Sequence, residues 1–292
     1  MVWQLCLNAV GAAATIMLVA VGFSLIYSVA KFFNFAHAIV FTVAAYSAYL
    51  CLGGAGLPFG LSLVFGVVCA TGLGCLIDAL VFRRLRRDGA SSLVMLLASL
   101  GVYIAVQNLV SLSAGDDIKM LDPARAGTSV SILGGRLSPT QCIAILVGGV
   151  LTAAVIGLEH FSSLGRVLRA LACDHELAEA VGIRTNRSIL LASGIGSALA
   201  AVAGILTALD VGMTPTMGMN ALMAGVVAAI VGGIGKTAYV AGGALLLGFA
   251  QHFGVWKIGT EWQQAITFLI LLVFLILRPQ GLWGKPLRKT TL

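Results

Sequence analysis

Few residues in this chain have the types and spacing to do chemistry, and each candidate points to a different reaction. The run GGIGKT at residues 232–237 has the ending of a phosphate-binding loop, in which backbone amides cradle phosphates and a lysine reaches the terminal ones. That pattern needs glycine at position 230, where the chain has Ile230, and no soluble strand–loop–helix unit surrounds it. No nucleotide site is expected. His37, His160, His175 and His252 are dispersed, with no pair four residues apart to hold a metal from one helix face. Cys6, Cys51, Cys69, Cys75, Cys142 and Cys173 have no metal-like spacing and mostly lie in apolar runs, so they read as small core residues and imply no disulfide framework. No nucleophile stands near a base in sequence, as an intramembrane hydrolase or acyltransferase would need. What remains is binding and mechanical contact, with no metal and no cofactor expected.

The longest polar interval is Ser162 to Ser188, SSLGRVLRALACDHELAEAVGIRTNRS. Leu164, Val167, Leu168 and Leu171 recur at helical spacing with Arg166 and Arg169 between them, which predicts a short amphipathic helix. A second helix follows. Asp174 is its N-cap, Glu176 lies in the first turn where the helix dipole favours a carboxylate, and Gly182 ends it in a left-handed conformation. Two short helices joined by a tight turn between apolar segments make a rigid knob suited to docking a soluble partner.

The elements around the knob belong to a membrane protein. Of 292 residues 59% are hydrophobic and only 10% charged, against about 25% charged in soluble domains. Mean hydropathy is +1.03. The net charge of +7 does not indicate nucleic acid, because the basic residues sit between apolar runs. Arg83, Arg84, Arg86 and Arg87 form one cluster, Arg166, Arg169, Arg184 and Arg187 a second, and Arg278, Lys285, Arg288 and Lys289 a third. Cytosolic loops collect such residues, so these three segments are assigned to the inner face. The N-terminus has no basic residue before its apolar run, which argues against a cleaved signal peptide.

In chain order, spans are predicted over about 8–30, from the KFFNFAHA interruption to about 51, to Phe82, over 91–112 and over 139–158, with a mixed-charge outer segment at 113–137. Asp78 reads as a local partner for the arginines that follow it. Beyond the knob, a span opens near Ile189 with Gly194, Gly196, Ala200 and Gly204, small residues that let helices approach closely. A run to Ile230, a glycine-dense broken helix through VGGIGKTAYVAGGALLLG, and a last span over 264–277 complete the chain. Counting every segment as crossing gives nine spans with the N-terminus outside; a re-entrant segment lowers the count. The fold class is therefore all-α, a polytopic transmembrane helical bundle of about eight or nine spans, some broken or re-entrant, with short cytoplasmic coupling helices. Residues 1–292 form one domain, with 162–188 as its coupling loop.

Two broken elements, NFAH (34–37) and GGIG (232–235), lie in opposite halves of the chain. Transporters built from repeats place discontinuous helices near mid-membrane, where freed backbone groups meet a polar solute. Asn34, His37, Gly232, Gly233 and Gly235 are candidates to line or gate a pathway. For Asn34 and His37 the other reading is that they bond backbone groups freed by the break.

Residues 22–46, GFSLIYSVAKFFNFAHAIVFTVAAY, resemble the G-x-x-L-x-Y…N-F-A-H-G…G-A-Y signature of high-affinity branched-chain amino-acid ABC transporter permeases. Residues 164–183 are similar to that family's G-R-x-x-R-A…A-x-x-x-G-I loop, 225–248 to its A-A-x-x-G-G-I-G…G-G-x-x-x-G segment, and LRPQGLWG to its R-P-x-G-L-x-G tail. The resemblance implies a multi-pass subunit of the cytoplasmic (inner) membrane with its C-terminus inside. It implies as partners a second related permease, two ATP-binding cassette subunits and a periplasmic or lipid-anchored substrate-binding protein. It gives the coupling role to Gly165, Arg166, Arg169, Ala170, Glu176, Glu179, Ala180, Gly182 and Ile183. Branched-chain or related hydrophobic amino acids are the implied solutes; relatives of this kind also handle urea, short amides or aromatic acids. The chain departs from the pattern at Ala38, where the family has glycine, and at Lys236–Val240. Lys236 either snorkels at the inner interface or faces the path and attracts a carboxylate. An ion-coupled secondary transporter is the rival class, and it would need a mid-membrane carboxylate, whereas Asp78 and Asp210 fall near span ends.

Overall fold

In a bilayer, backbone polar groups must bond within their own segment, so the long apolar runs of this chain become helices. A computed structural model describes residues 2–54, 56–121, 130–132, 135–278 and 280–283. Its long elements are α1 (Val2–Ala30), α2 (Ala36–Gly53), α3 (Phe59–Ile77), α5 (Ser92–Ala114), α6 (Pro139–Phe161), α9 (Thr185–Asp210), α11 (Thr237–Ile258) and α12 (Gln263–Leu277). A π-helical turn, Asp78–Phe82, joins α3 to α4 (Arg83–Arg87). The knob holds α7 (Ser163–Cys173) and α8 (His175–Ala180), and α10 (Met217–Gly232) is short. Among the described residues, eight helices are long and apolar enough to cross a membrane, and α10 is a shorter apolar one. The one sheet described is a hairpin, β1 (Val130–Ile132) antiparallel to β2 (Gly135–Leu137). Asp122, Arg125, Lys285, Arg288 and Lys289 lie outside the described residues.

Helices α1, α2, α9 and α10 form the centre, with buried residues such as Leu18, Phe23, Ile39, Phe41, Leu199, Ile205 and Leu222 in one cluster. The outer helices α3, α5, α6 and α12 leave apolar side chains exposed, including Val68, Leu97, Leu146 and Leu272, as lipid-facing surfaces require. The knob and the arginine cluster share one end of the bundle, called here the basic end.

The two halves repeat with opposite orientation. Helix α1 runs toward the basic end and α9 runs away from it, and they cross where a Cβ at Gly22 would lie 2.7 Å from the Gly196 carbonyl oxygen, and one at Gly196 2.7 Å from that of Gly22. Each helix is followed by a short break, 31–35 after α1 and 211–216 after α9, and then by a short helix starting inside the bundle. His37 in the first turn of α2 packs beside Gly22. That glycine is eight residues from the end of α1 at Ala30, about 12 Å along it. At the start of α10, Gly218 lies directly against the Ala38 carbonyl of α2, too close for any side chain. The 18 residues of α2 and the 16 of α10 span about 27 and 24 Å, a little less than an apolar core of about 30 Å, so each traverse is completed by its break. Counted this way the described chain crosses the bundle nine times.

One sequence expectation changes. The structural counterpart of the NFAH break is 211–216, not GGIG, which is instead the turn between α10 and α11 and corresponds to the turn between α2 and α3. The expected break in the glycine-dense run falls at GGIG, between α10 and α11, and beyond it α11 is continuous through Gly242, Gly243 and Gly248. Those glycines serve close packing: Gly243 faces the Ala228 carbonyl, and a Cβ on Gly248 would meet Ala13 Cβ at 2.7 Å. Glycine's helix penalty is outweighed by backbone contact with α10 and α1.

Candidate functional site

The knob follows from local capping. Ser162 Oγ accepts from the Gly165 amide at 2.9 Å and starts α7, and Asp174 Oδ1 accepts from the Leu177 amide at 3.0 Å and starts α8. Gly182, at φ +87°, ends α8 with the Gly182 amide donating to Glu179 O at 2.9 Å and the Ile183 amide to Ala178 O at 3.1 Å. The inward face, with Leu168, Leu171 and Ala178, packs on Leu25 and Val29 of α1 and on Ile189 and Ala192 of α9. Two polar clasps hold the same junction: Lys31 Nζ donates to Ala172 O at 2.6 Å, and His175 Nε2 donates to Val29 O at 2.6 Å. A third contact leaves the base of the knob, where Thr237 Oγ1 at the start of α11 donates to Glu159 Oε1 near the end of α6 at 2.5 Å.

The outward face is different in kind. Arg166, Arg169, Glu176, Glu179, Ala180 and Gly182 are exposed, Ala170 and Ile183 half-buried, and Gly165 is buried against the carbonyls of Leu158 and Glu159. Between the charges stand Leu177 and Val181, 64% and 71% exposed.

The first break lies between the clasps and the bundle centre. Lys31 takes φ 57°, Asn34 Oδ1 accepts from the Ala36 amide at 3.0 Å, and Ser99 Oγ of α5 accepts from the Phe35 amide at 3.0 Å. Asn34 therefore serves backbone freed by the break. His37 does not: it is 2% exposed and neither ring nitrogen makes a hydrogen bond of normal geometry among the described residues, although the Val19 backbone comes near. It borders a chamber of about 10 Å³ with Asn34, Ser193 and Ser197. Gly232 and Gly233 are buried and Gly235 is exposed at φ +112°, in a turn sealed by the C-terminal segment through the Leu282 amide donating to Val231 O at 2.8 Å. The neighbours of Gly232 are Tyr239 and Val240, so the structure does not bring GGIG against Asn34 and His37. Lys236 is exposed at the basic end, its Nζ 3.3 Å from Tyr239 Oη.

Both suspect carboxylates have local partners. Asp78, buried, forms a two-point pair with the half-buried Arg86 at 2.9 and 3.1 Å. Asp210, exposed at the end of α9, accepts from Ser138 Oγ at 3.0 Å and Gln141 Nε2 at 3.4 Å at the start of α6.

Sequence reasoning missed a vestibule of about 630 Å³ toward the end opposite the knob, enclosed by α1, α9, the 211–216 break, α10, α11 and α12. Its polar lining includes Thr15, Thr207, Asn220, Gln251, Gln263 and Gln264, and no charged side chain lines it among the described residues. The one signal in sequence was the set Gln263, Gln264 and Thr267 at the start of an otherwise apolar helix. The partners they meet come from other helices.

A family model described as branched-chain amino acid transport system / permease component matches residues 5–275. The chain belongs to that family. The permease is 31% identical over 299 residues to the high-affinity branched-chain amino acid transport system permease protein BraD of Pseudomonas aeruginosa, covering 97% of this chain and 96% of the relative. It is 30% identical over 296 residues to the permease protein LivH of Escherichia coli K12, and 28% identical to LivH of Salmonella typhimurium, with 97% and 96% covered in both cases.

Proposed function

We propose that this permease is the membrane-spanning subunit of an ATP-driven importer of branched-chain or related hydrophobic amino acids. It lies in the cytoplasmic membrane with its basic end and C-terminus inside. Separate ATP-binding cassette subunits hydrolyse ATP, a second related permease completes the transmembrane unit, and a binding protein delivers solute at the opposite end. The observation that carries the reading is the two-sided knob: its inner face is fastened to α1 and α9, while its outer face offers Leu177 and Val181 among charges. A buried apolar contact ringed by polar groups is how a soluble partner grips a small surface. Force applied there reaches the first break through Lys31 and His175, and α11 through Glu159.

The supporting test is a reconstituted complex in which Glu179→Ala and Gly182→Ala are made singly and together. Leucine uptake is expected to fall at least tenfold while the permease still inserts and the complex still hydrolyses ATP. Normal uptake by the double variant would remove the knob from coupling. Uptake driven by an ion gradient without ATP would favour the secondary-transporter class, which the paired states of Asp78 and Asp210 speak against.

A further inference from the structure

The vestibule has the composition of a solute site, and its chemistry is specific. Its volume of about 630 Å³ falls in the range of about 300–1,000 Å³ usual for small-molecule sites. Asn220 of α10 and Gln264 of α12, both exposed to it, are joined by Gln264 Nε2 donating to Asn220 Oδ1 at 2.8 Å. That bond leaves the Asn220 amide nitrogen as a donor and the Gln264 carbonyl oxygen as an acceptor, so the pair presents one of each to the cavity. Gln251 is 3% exposed and held by donating to Thr267 Oγ1 at 2.6 Å and accepting from Gln263 Nε2 at 3.4 Å, a fixed polar cluster in the lining.

We propose that the vestibule holds the transported solute, and that the Asn220–Gln264 pair selects a zwitterion of no net charge with an apolar side chain. The inference rests on the importer reading and names the substrate class of its pathway. A carboxylate is met by the Asn220 amide and an ammonium by the Gln264 carbonyl. The start of α10 and the end of α9, which both border the cavity, add a positive and a negative helix end for the same two groups. Met217, Met219 and Met223 form the wall for the side chain, adaptable to branched or straight shapes. Among the described lining residues a solute with a net charge finds no countercharge, and it loses hydration without compensation. Simple aromatic carboxylates and cationic amino acids are therefore excluded.

The experiment uses the full chain in the reconstituted complex and a diazirine analogue of leucine as probe. Photolabel is expected in peptides covering 217–224 and 263–268, displaced by leucine but not by benzoate or arginine. Asn220→Asp and Gln264→Glu change charge at exposed positions with little change in shape, and each is expected to lower the displaceable label at least fivefold. Label elsewhere, equal displacement by benzoate, or unchanged label in both variants overturns the proposal. ATP-driven leucine uptake is measured on the same preparations. Label retained without uptake supports the site and defeats the importer reading; uptake retained without label defeats the site alone.

Discussion

At the scale of single residues, some polar side chains inside this bundle are satisfied by another side chain, some by backbone, and a few, such as His37 and Thr42, by neither among the described residues. Asp78 and Arg86 satisfy each other, and their worth is visible only when one is removed. Breaking a buried pair leaves an uncompensated charge and costs about 3–5 kcal/mol, whereas replacing both partners together is far milder. Arg86→Ala is therefore expected to lower the thermal midpoint of the purified permease sharply, and Asp78→Asn with Arg86→Ala to recover most of the loss. Equal midpoints for the two proteins would contradict the pairing. Asn34 is likewise explained by the backbone it caps. His37 has no such explanation on the described residues, and a chamber of about 10 Å³ beside it is the size of one water molecule.

At the scale of elements, the central helices touch backbone to backbone, and this sets which glycines are replaceable. Gly204 of α9 lies against the Phe41 carbonyl of α2, whereas Gly101 of α5 has nothing within 4 Å of a Cβ position. Gly204→Ala must push α2 from α9 in a core that tolerates little overpacking, at a cost of about 1–3 kcal/mol or more. Gly101→Ala adds a methyl to open space on a helix. Folded yield from detergent extraction is expected to drop severely for the first and to hold or rise for the second. Similar yields would deny the close crossing. The knob, by contrast, is built from its own sequence: Asp174 and Gly182 set the ends of α8, and the pattern Leu164, Val167, Leu168, Leu171 sets which side of α7 faces the bundle.

At the scale of the whole molecule, the clustering of the described arginines at one end predicts a single orientation, with the knob facing the cytosol. In a variant keeping Cys173 as its only cysteine, a membrane-impermeant maleimide is expected to label inverted vesicles and not intact cells, since Cys173 is exposed on the knob. Labelling of intact cells would reverse the orientation and detach the knob from any cytosolic partner. The sequence by itself determined the membrane class, the basic end, the two knob helices and the family, because hydropathy, charge placement and capping act over a few residues and are written where they act. Only the tertiary structure decided which break answers which and where a solute would sit. The inverted pairing depends on Gly22 meeting Gly196, and the vestibule on Asn220 meeting Gln264, 44 positions away. Partners that distant are chosen by how helices pack, and no local pattern records that choice.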